Sequence, residues 1–484
     1  MTDREKKKIL RRKQRKKRQF VLVIAASLFA VFLIIMVTLV LLTGKKEKVP
    51  DEENSGTVVE EYSTDLIAGI GAAAMTDRME MDFAGADEPG SVPDAAVGTV
   101  VQMAAPRTDT EPVRIRPGET VSENQAVDKA AEENVYDEKV ETLLQEMTLH
   151  EKVCQMIVVT PEALTGVNVA TAAGAMTQQG LQSMPVGGIC FLAQNLETPE
   201  QTRTMIANMQ SFAKEDHGIG LLITLDEEGG KVARVAGKLG TTQFSPMYEY
   251  RNDGVETARQ NAKTIAADIY SMGVNLDLAP VADVWTNREN TVIGKRAYSD
   301  DPEQAAELVA AAVGGFHEGG VMCTLKHFPG HGDTKEDSHT GTAYSYKTLE
   351  ELRQTEFLPF ISGIDAGADI VMSSHVTMPQ VDPTRLPTTL SPVILSILRD
   401  ELGFQGVIMT DSLSMKALTD HYGYAKIGVM AVQAGNDILL CQLGMREMVA
   451  AIEEAVIKGE ITEERIDQSV GRILALKLKY GLIE

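Results

Sequence analysis

The sequence predicts an α/β protein: a (β/α)₈ barrel of the TIM type over residues 136–484, preceded by a transmembrane helix and a disordered stalk. Three observations carry that expectation. Eight short apolar runs recur in the second part of the chain, at 153–159, 187–192, 220–226, 274–281, 321–327, 369–375, 406–411 and 437–441. They are apolar throughout rather than alternating, which suits strands buried on both faces of a parallel sheet. Between them lie segments with amphipathic helical spacing near 199–214, 255–272, 302–318, 348–365, 391–402, 413–434 and 444–458. Eight strand–helix beats in about 350 residues fit a closed barrel, with a doubly wound open sheet as the alternative. Finally, the runs end on residues capable of chemistry: Asp226, Lys326 with His327, His375, Asp411 and, just after a strand, Asp283. Polar groups at successive strand C-termini converge on one face of a barrel.

The N-terminal part divides in order. Residues 1–19 carry eleven Lys or Arg and two acids, Asp3 and Glu5. Phe20 to Thr43 then runs without a charge, long enough to cross a hydrocarbon core of roughly 30 Å and longer than the apolar centre of a cleavable signal. A retained, single-pass signal-anchor is expected, with the basic tail in the cytoplasm and everything after Thr43 outside the cell. Residues 44–135 are rich in Glu, Asp, Ala, Gly, Pro and Ser without sustained periodicity, so an acidic, disordered linker is expected, with an r.m.s. span on the order of 50 Å. Beyond the tail, 35 basic residues (46 less 11) face 67 acidic ones (69 less 2), a formal charge of about −32. Such a surface repels nucleic acid, whose binding depends on neutralising phosphates. Cys154, Cys190, Cys323 and Cys441 are widely separated and lie in apolar runs, the pattern of buried free thiols.

The stretch Lys326 to His339, KHFPGHGDTKEDSH, holds three of the eight histidines, three acids and two lysines. A strand that empties into a loop of this composition is a loop that carries chemistry. His327 and His331 are four apart, but the intervening Phe-Pro-Gly breaks any helix that would bring them to one face. No metal site is expected there, and no cofactor.

Together with LDEEGGKVAR (225–234), NLDLAPVADV (275–284), NTVIGKRAYSDDP (290–302), VMSSHVTMP (371–379) and GVIMTDSLSM (406–415), this stretch resembles the β-N-acetylhexosaminidases of glycoside hydrolase family 3. Six motifs in the same order span about 136–484. The resemblance implies a retaining hydrolase of terminal β-linked N-acetylglucosamine, acting on β-N-acetylglucosaminyl glycans and, outside the cell, on cell-wall fragments. It implies Asp411 as the nucleophile, although Asp411 alone also reads as the N-cap of a helix starting near Ser412. It further implies His339 as the acid/base, with Asp337 orienting it. An imidazole titrates where proton shuttling is easiest, and a carboxylate beside it can fix its tautomer. Asp226, Arg234, Arg296, Lys326 and His327 match positions that hold the sugar, with Arg296 near the N-acetyl group. The residues leave open whether Arg234 grips sugar or partners Asp226, and Asp283 reads as structural.

Two departures from the family pattern stand out. Glu227 replaces the commoner Gln after the sugar-binding Asp, which is expected to alter local charge and specificity. Pro161 to Met184 reads as a longer loop at the rim of the site. Alternatives left open are a phosphorolytic enzyme, a β-glucosidase, and an inactive wall-binding protein.

Overall fold

The computed structural model of the chain describes residues 138–335, 338 and 341–484. The expected transmembrane segment at 20–43, the linker at 44–135, and Asp337 and His339 lie outside the described residues. Among the described residues no helix is long and apolar enough to cross a membrane.

Eight parallel strands form the core: β1 (Ile157–Val159), β2 (Gly188–Cys190), β3 (Leu222–Leu225), β4 (Leu276–Asp277), β5 (Met322–Phe328), β6 (Ile370–Ser373), β7 (Val407–Thr410) and β8 (Leu439–Cys441). Strands β1 to β7 pair in sequence order, and β8 pairs with β1 through Ile157–Leu439 and Val159–Cys441. A single parallel bridge, Met409 to Ile438, joins the remaining edges. The result is a nearly closed eight-stranded barrel of the TIM type, not an open sheet. Seven of the eight runs contain their strand, β5 runs one residue past its run to Phe328, and every strand residue is buried.

The departures have local causes. The run 153–159 is only half strand, because Thr148 and Glu151 form a reciprocal capping box that starts a helix at Leu149–Gln155. Strand β4 keeps two residues of the expected eight, since Pro280 has no N–H to give a ladder. The expected helix at 348–365 breaks into Leu349–Gln354 and Phe357–Asp365, and 391–402 finishes in a π-turn at Ile397–Glu401. The span 413–434 is a loop and a one-turn helix, Lys416–Thr419, before Tyr424–Ala434 begins after Gly423. The rim segment after β1 is not a bare loop: it folds into Pro161–Thr165 and Ala175–Ser183. Glu162 holds it together by accepting from Ala170 N at 3.0 Å and Asn195 Nδ2 at 2.6 Å.

A final helix, Glu463–Lys479, was not anticipated. It closes the end of the barrel opposite the strand C-termini through two buried carboxylates. Asp437 pairs with Arg399, accepts from Arg472 Nη1 at 3.2 Å and from Ser469 Oγ at 2.6 Å. Asp369 accepts from Lys479 Nζ at 2.8 Å, Tyr480 OH at 3.0 Å and His317 Nε2 at 2.8 Å. His317, Cys323 and Asp369 come close enough to hold a metal ion, and the Lys479 ammonium pairs with the Asp369 oxygen that faces away from His317. The four cysteines are buried free thiols, as expected.

The same helix carries Lys477, 0% exposed, whose Nζ donates to Gln155 Oε1 at 2.8 Å. Burial pushes it down from 10.5 to about 7. The unfolded chain therefore binds the extra proton between pH 7 and 10.5, and this residue makes stability rise with pH across that window. Below pH 7 both states are charged and the cost of burying the ammonium is fully felt. Lys477→Met is expected to raise the thermal midpoint at pH 6, and the gain should shrink by pH 10. Equal gains at both pH values would contradict this account.

Candidate active site

Strand geometry decides which side chains meet. Successive residues at the end of β3 point to opposite sides, so Asp226 and Glu228 face the barrel mouth while Glu227 turns away. Glu227 accepts from Val235 N at 2.6 Å and Ala236 N at 2.9 Å, holding the start of the helix Arg234–Leu239. It does not line the pocket, which corrects the expectation that its charge would reach the sugar site. Beneath it, Asp277 Oδ1 accepts from Glu227 N at 3.0 Å. Burial pushes the Asp277 carboxyl well above its ordinary range.

Lys326, near the end of β5, is buried between two carboxylates. Its Nζ lies 2.7 Å from Asp226 Oδ1 and 2.6 Å from Glu228 Oε1. Arg296 completes the chain by a fork onto Glu228, with Nε–Oε2 at 2.8 Å and Nη2–Oε1 at 2.7 Å. Burial opposes every charge here, yet the ions sustain one another. Arg296 and Lys326 hold Glu228 below the usual carboxylate range, and Asp226 and Glu228 hold Lys326 above the usual amine range. Arg234 Nη2 stands 3.6 Å from Asp226 Oδ2, so it both partners Asp226 and borders the pocket.

Asp283 is structural, as expected, and it orients His327. Its Oδ2 lies 2.7 Å from His327 Nδ1, and its Oδ1 accepts from the His331 backbone N–H at 2.6 Å. A carboxylate can only accept, so Nδ1 carries the proton and Nε2 is left for the pocket. Burial pushes the Asp283 carboxyl up, but His327 and His331 together hold it below its ordinary value.

Asp411 follows β7. Its backbone N–H donates to Ser373 O at 2.9 Å, and its Oδ1 accepts from Ser412 N at 2.6 Å. The next helix starts only at Lys416, so Asp411 is not an N-cap. His375 fixes the turn behind it: Nε2 donates to Ser412 O at 2.9 Å, and Nδ1 meets Thr389 Oγ1 at 2.8 Å.

Asp226, Arg234, Arg296, Lys326, His327 and Asp411 thus line one cavity of about 410 Å³, in the size range of small-ligand sites. Glu228, which sequence reasoning did not single out, also lines it, with its side chain fully buried. Cys190, Leu192, Leu278, Met372 and Leu440 supply the apolar wall. Ser338, between the two candidate proton-handling residues, is buried, with Oγ 3.0 Å from His331 Nε2 and its carbonyl accepting from Ala417 N at 3.4 Å. Ser338 is thereby tied to the segment that follows Asp411.

Glu228→Gln removes the charge that both Lys326 and Arg296 face. Breaking a buried pair on one side costs about 3–5 kcal/mol, and urea denaturation at pH 7 should register a loss of that order. A depressed carboxyl supplies stability that is full above its unfolded value of about 4.5 and lost as pH falls through the folded value. The gap between wild type and variant should therefore close in strong acid. A gap that stays constant from pH 7 to pH 3 would remove Glu228 from this role.

Residues 148–476 match the Glycosyl hydrolase family 3 N terminal domain. A Beta-hexosaminidase of Stenotrophomonas maltophilia is 37% identical over 317 residues, covering 64% of this chain and 87% of that protein. Beta-hexosaminidase A of Pseudoalteromonas piscicida is 32% identical over 319 residues, and the match spans about half of that protein, 53%. Among solved structures, a glycoside hydrolase family 3 beta-N-acetylglucosaminidase from Paenibacillus sp. str. FPU-7 superposes with a TM-score of 0.65 at 38% identity. That superposition covers 69% of this chain and 63% of the other. With the barrel, the strand-end pocket and these likenesses together, the chain belongs to glycosyl hydrolase family 3.

Proposed function

We propose that residues 136–484 act as an exo-acting, retaining β-N-acetylglucosaminidase that hydrolyses terminal β-linked N-acetylglucosamine. The observation that carries this reading is the convergence of Asp411, from the end of β7, with the Asp226–Lys326–Glu228–Arg296 charge chain and His327 in one pocket. A pocket that holds one sugar against buried donors and acceptors discriminates strongly, because a missing hydroxyl leaves those groups unpaired. The relatives named above supply the substrate class.

In the first step Asp411 attacks the anomeric carbon while His339, oriented by Asp337, gives a proton to the departing oxygen. A covalent glycosyl ester and the free leaving group result. In the second step His339 takes a proton from water, whose oxygen displaces Asp411 and restores the β configuration. Asp226, Arg234, Arg296, Lys326 and His327 hold the sugar in both steps. The proposed setting is the outer face of the cell membrane, with Phe20–Thr43 as the anchor and cell-wall (peptidoglycan) fragments as the glycan. The supports for that setting are the basic tail and the uncharged 24-residue span that follows it. Protease digestion of intact cells should release the 136–484 portion and leave the tail protected.

A chromogenic β-N-acetylglucosaminide tests the chemistry in the full-length chain. Asp411→Asn should lower kcat by a factor on the order of 10⁴ or more, and full activity in that variant would sink the nucleophile assignment. His339→Ala should spare aryl glycosides, whose good leaving groups need little protonation, and depress disaccharide cleavage far more. Equal losses on both substrates would argue against His339 as the acid. Turnover that requires phosphate and releases a sugar 1-phosphate would replace hydrolysis with phosphorolysis, and preference for a glucoside would replace the substrate.

A further inference from the structure

The C-terminal face of the barrel carries a second concavity outside the pocket, of about 290 Å³, bordered by Asn287, Asp333, Lys335, Lys347, Tyr344 and Tyr346. It is built from the segments that follow β4 and β5, on the face where substrate enters. The sequence Tyr344-Ser345-Tyr346 runs exposed, buried, exposed, the two-residue period of an extended strand. Ser345 is pinned from both sides: its Oγ donates to Asp333 Oδ2 at 2.7 Å and its N–H to Thr377 O at 3.1 Å. The two tyrosines are therefore held outward, 37% and 67% exposed. Their rings lie nearly parallel, with planes 14° apart and centroids 6.1 Å apart. No hydrogen-bond partner for either phenol hydroxyl occurs among the described residues.

Around the plate stand groups that can both give and accept hydrogen bonds. Asn287 Nδ2 donates to Asp333 O at 3.2 Å, and Lys335 Nζ lies 3.0 Å from Glu289. The loop after β5 joins the two places, since Lys326 and His327 line the pocket and Asp333 and Lys335 line this groove.

We propose that the groove is an accessory subsite for further pyranose rings of the glycan, whose terminal sugar occupies the pocket. A pyranose presents a face of partly positive C–H groups to the negative face of an aromatic ring, while its equatorial hydroxyls point sideways to the surrounding polar side chains. A nucleobase also stacks on aromatic plates, but the chain's net charge of −23 opposes a polyanion. A protein partner would need a far larger apolar area than two rings provide. The occupant thus follows from the hydrolase reading above, and the experiment separates the two.

The experiment compares the full-length protein with Tyr346→Ala, Tyr344→Ala and the conservative Tyr346→Phe. Kinetics are read on a chromogenic N-acetylglucosaminide and on a β-1,4-linked N-acetylglucosamine hexasaccharide, and hexasaccharide affinity is measured by calorimetry. Each alanine variant should raise KM for the hexasaccharide about three- to tenfold with kcat little changed. The short substrate should not respond, and Tyr346→Phe should restore most of the loss. Equal effects on both substrates, or none on the hexasaccharide, would overturn the subsite while leaving hydrolysis intact. If the wild type cleaves neither substrate, the hydrolase reading falls, and calorimetry alone decides the groove. Weaker hexasaccharide binding by Tyr346→Ala then supports it, and equal binding overturns it.

Discussion

Lys326 Nζ sits within 2.7 Å of one carboxylate and 2.6 Å of another, with almost no water contact, and the second carboxylate is gripped by Arg296. Each of these ions would be costly alone in the barrel mouth. They are stable there only as a set, and the set draws on the ends of β3 and β5 and on the segment after β4. This mutual dependence fixes where the three elements stand relative to one another. It also leaves a pre-oriented array of donors and acceptors at the mouth of the barrel, so that little reorganisation is needed when a polar ligand binds.

The loop after β5 is built on the same logic. Asp283 takes His327 on one oxygen and the His331 backbone on the other. Asn290 Nδ2 donates to His331 O at 2.7 Å. At Gly332, a Cβ would lie 1.8 Å from Val284 O, so only glycine lets the loop pass that close to the backbone after β4. The first half of the loop is thus held as part of the barrel, while Ser338 bonds to both His331 and Ala417. His375, one strand over, fixes the turn after Asp411 by gripping Ser412 O. Asp226, Lys326, His327 and Asp411 are therefore mounted at or beside strand ends, around one pocket.

Much of this was legible in the sequence because it depends on local rules. Buried parallel strands are apolar on both faces, so all eight could be located, and a barrel aligns their C-terminal ends. That geometry brings Asp226, Lys326, His327 and Asp411 together despite their separation in sequence. What stayed hidden depends on contacts the sequence does not spell out. Three consecutive positions, Asp226, Glu227 and Glu228, are all acidic. Only the strand's alternation, anchored by Glu227's bonds to Val235 and Ala236, shows that the first and third face the pocket. The run at 153–159 looks uniform in hydropathy, yet the Thr148–Glu151 box makes its first half helical. The last helix has a clear apolar face, but its role emerges only with Asp369 and Asp437, buried acids far away in sequence that its basic residues reach.

The central claim is that Asp411 bonds covalently to the sugar in a pocket shaped by the Lys326 charge chain. Its most direct test is to trap that bond with a slow fluorinated N-acetylglucosaminide and map the modified peptide by mass spectrometry. The account predicts one sugar per chain, attached to Asp411, released slowly on dilution with the β anomer appearing first. A label on another residue, or rapid turnover that yields the α anomer with no adduct, would contradict it.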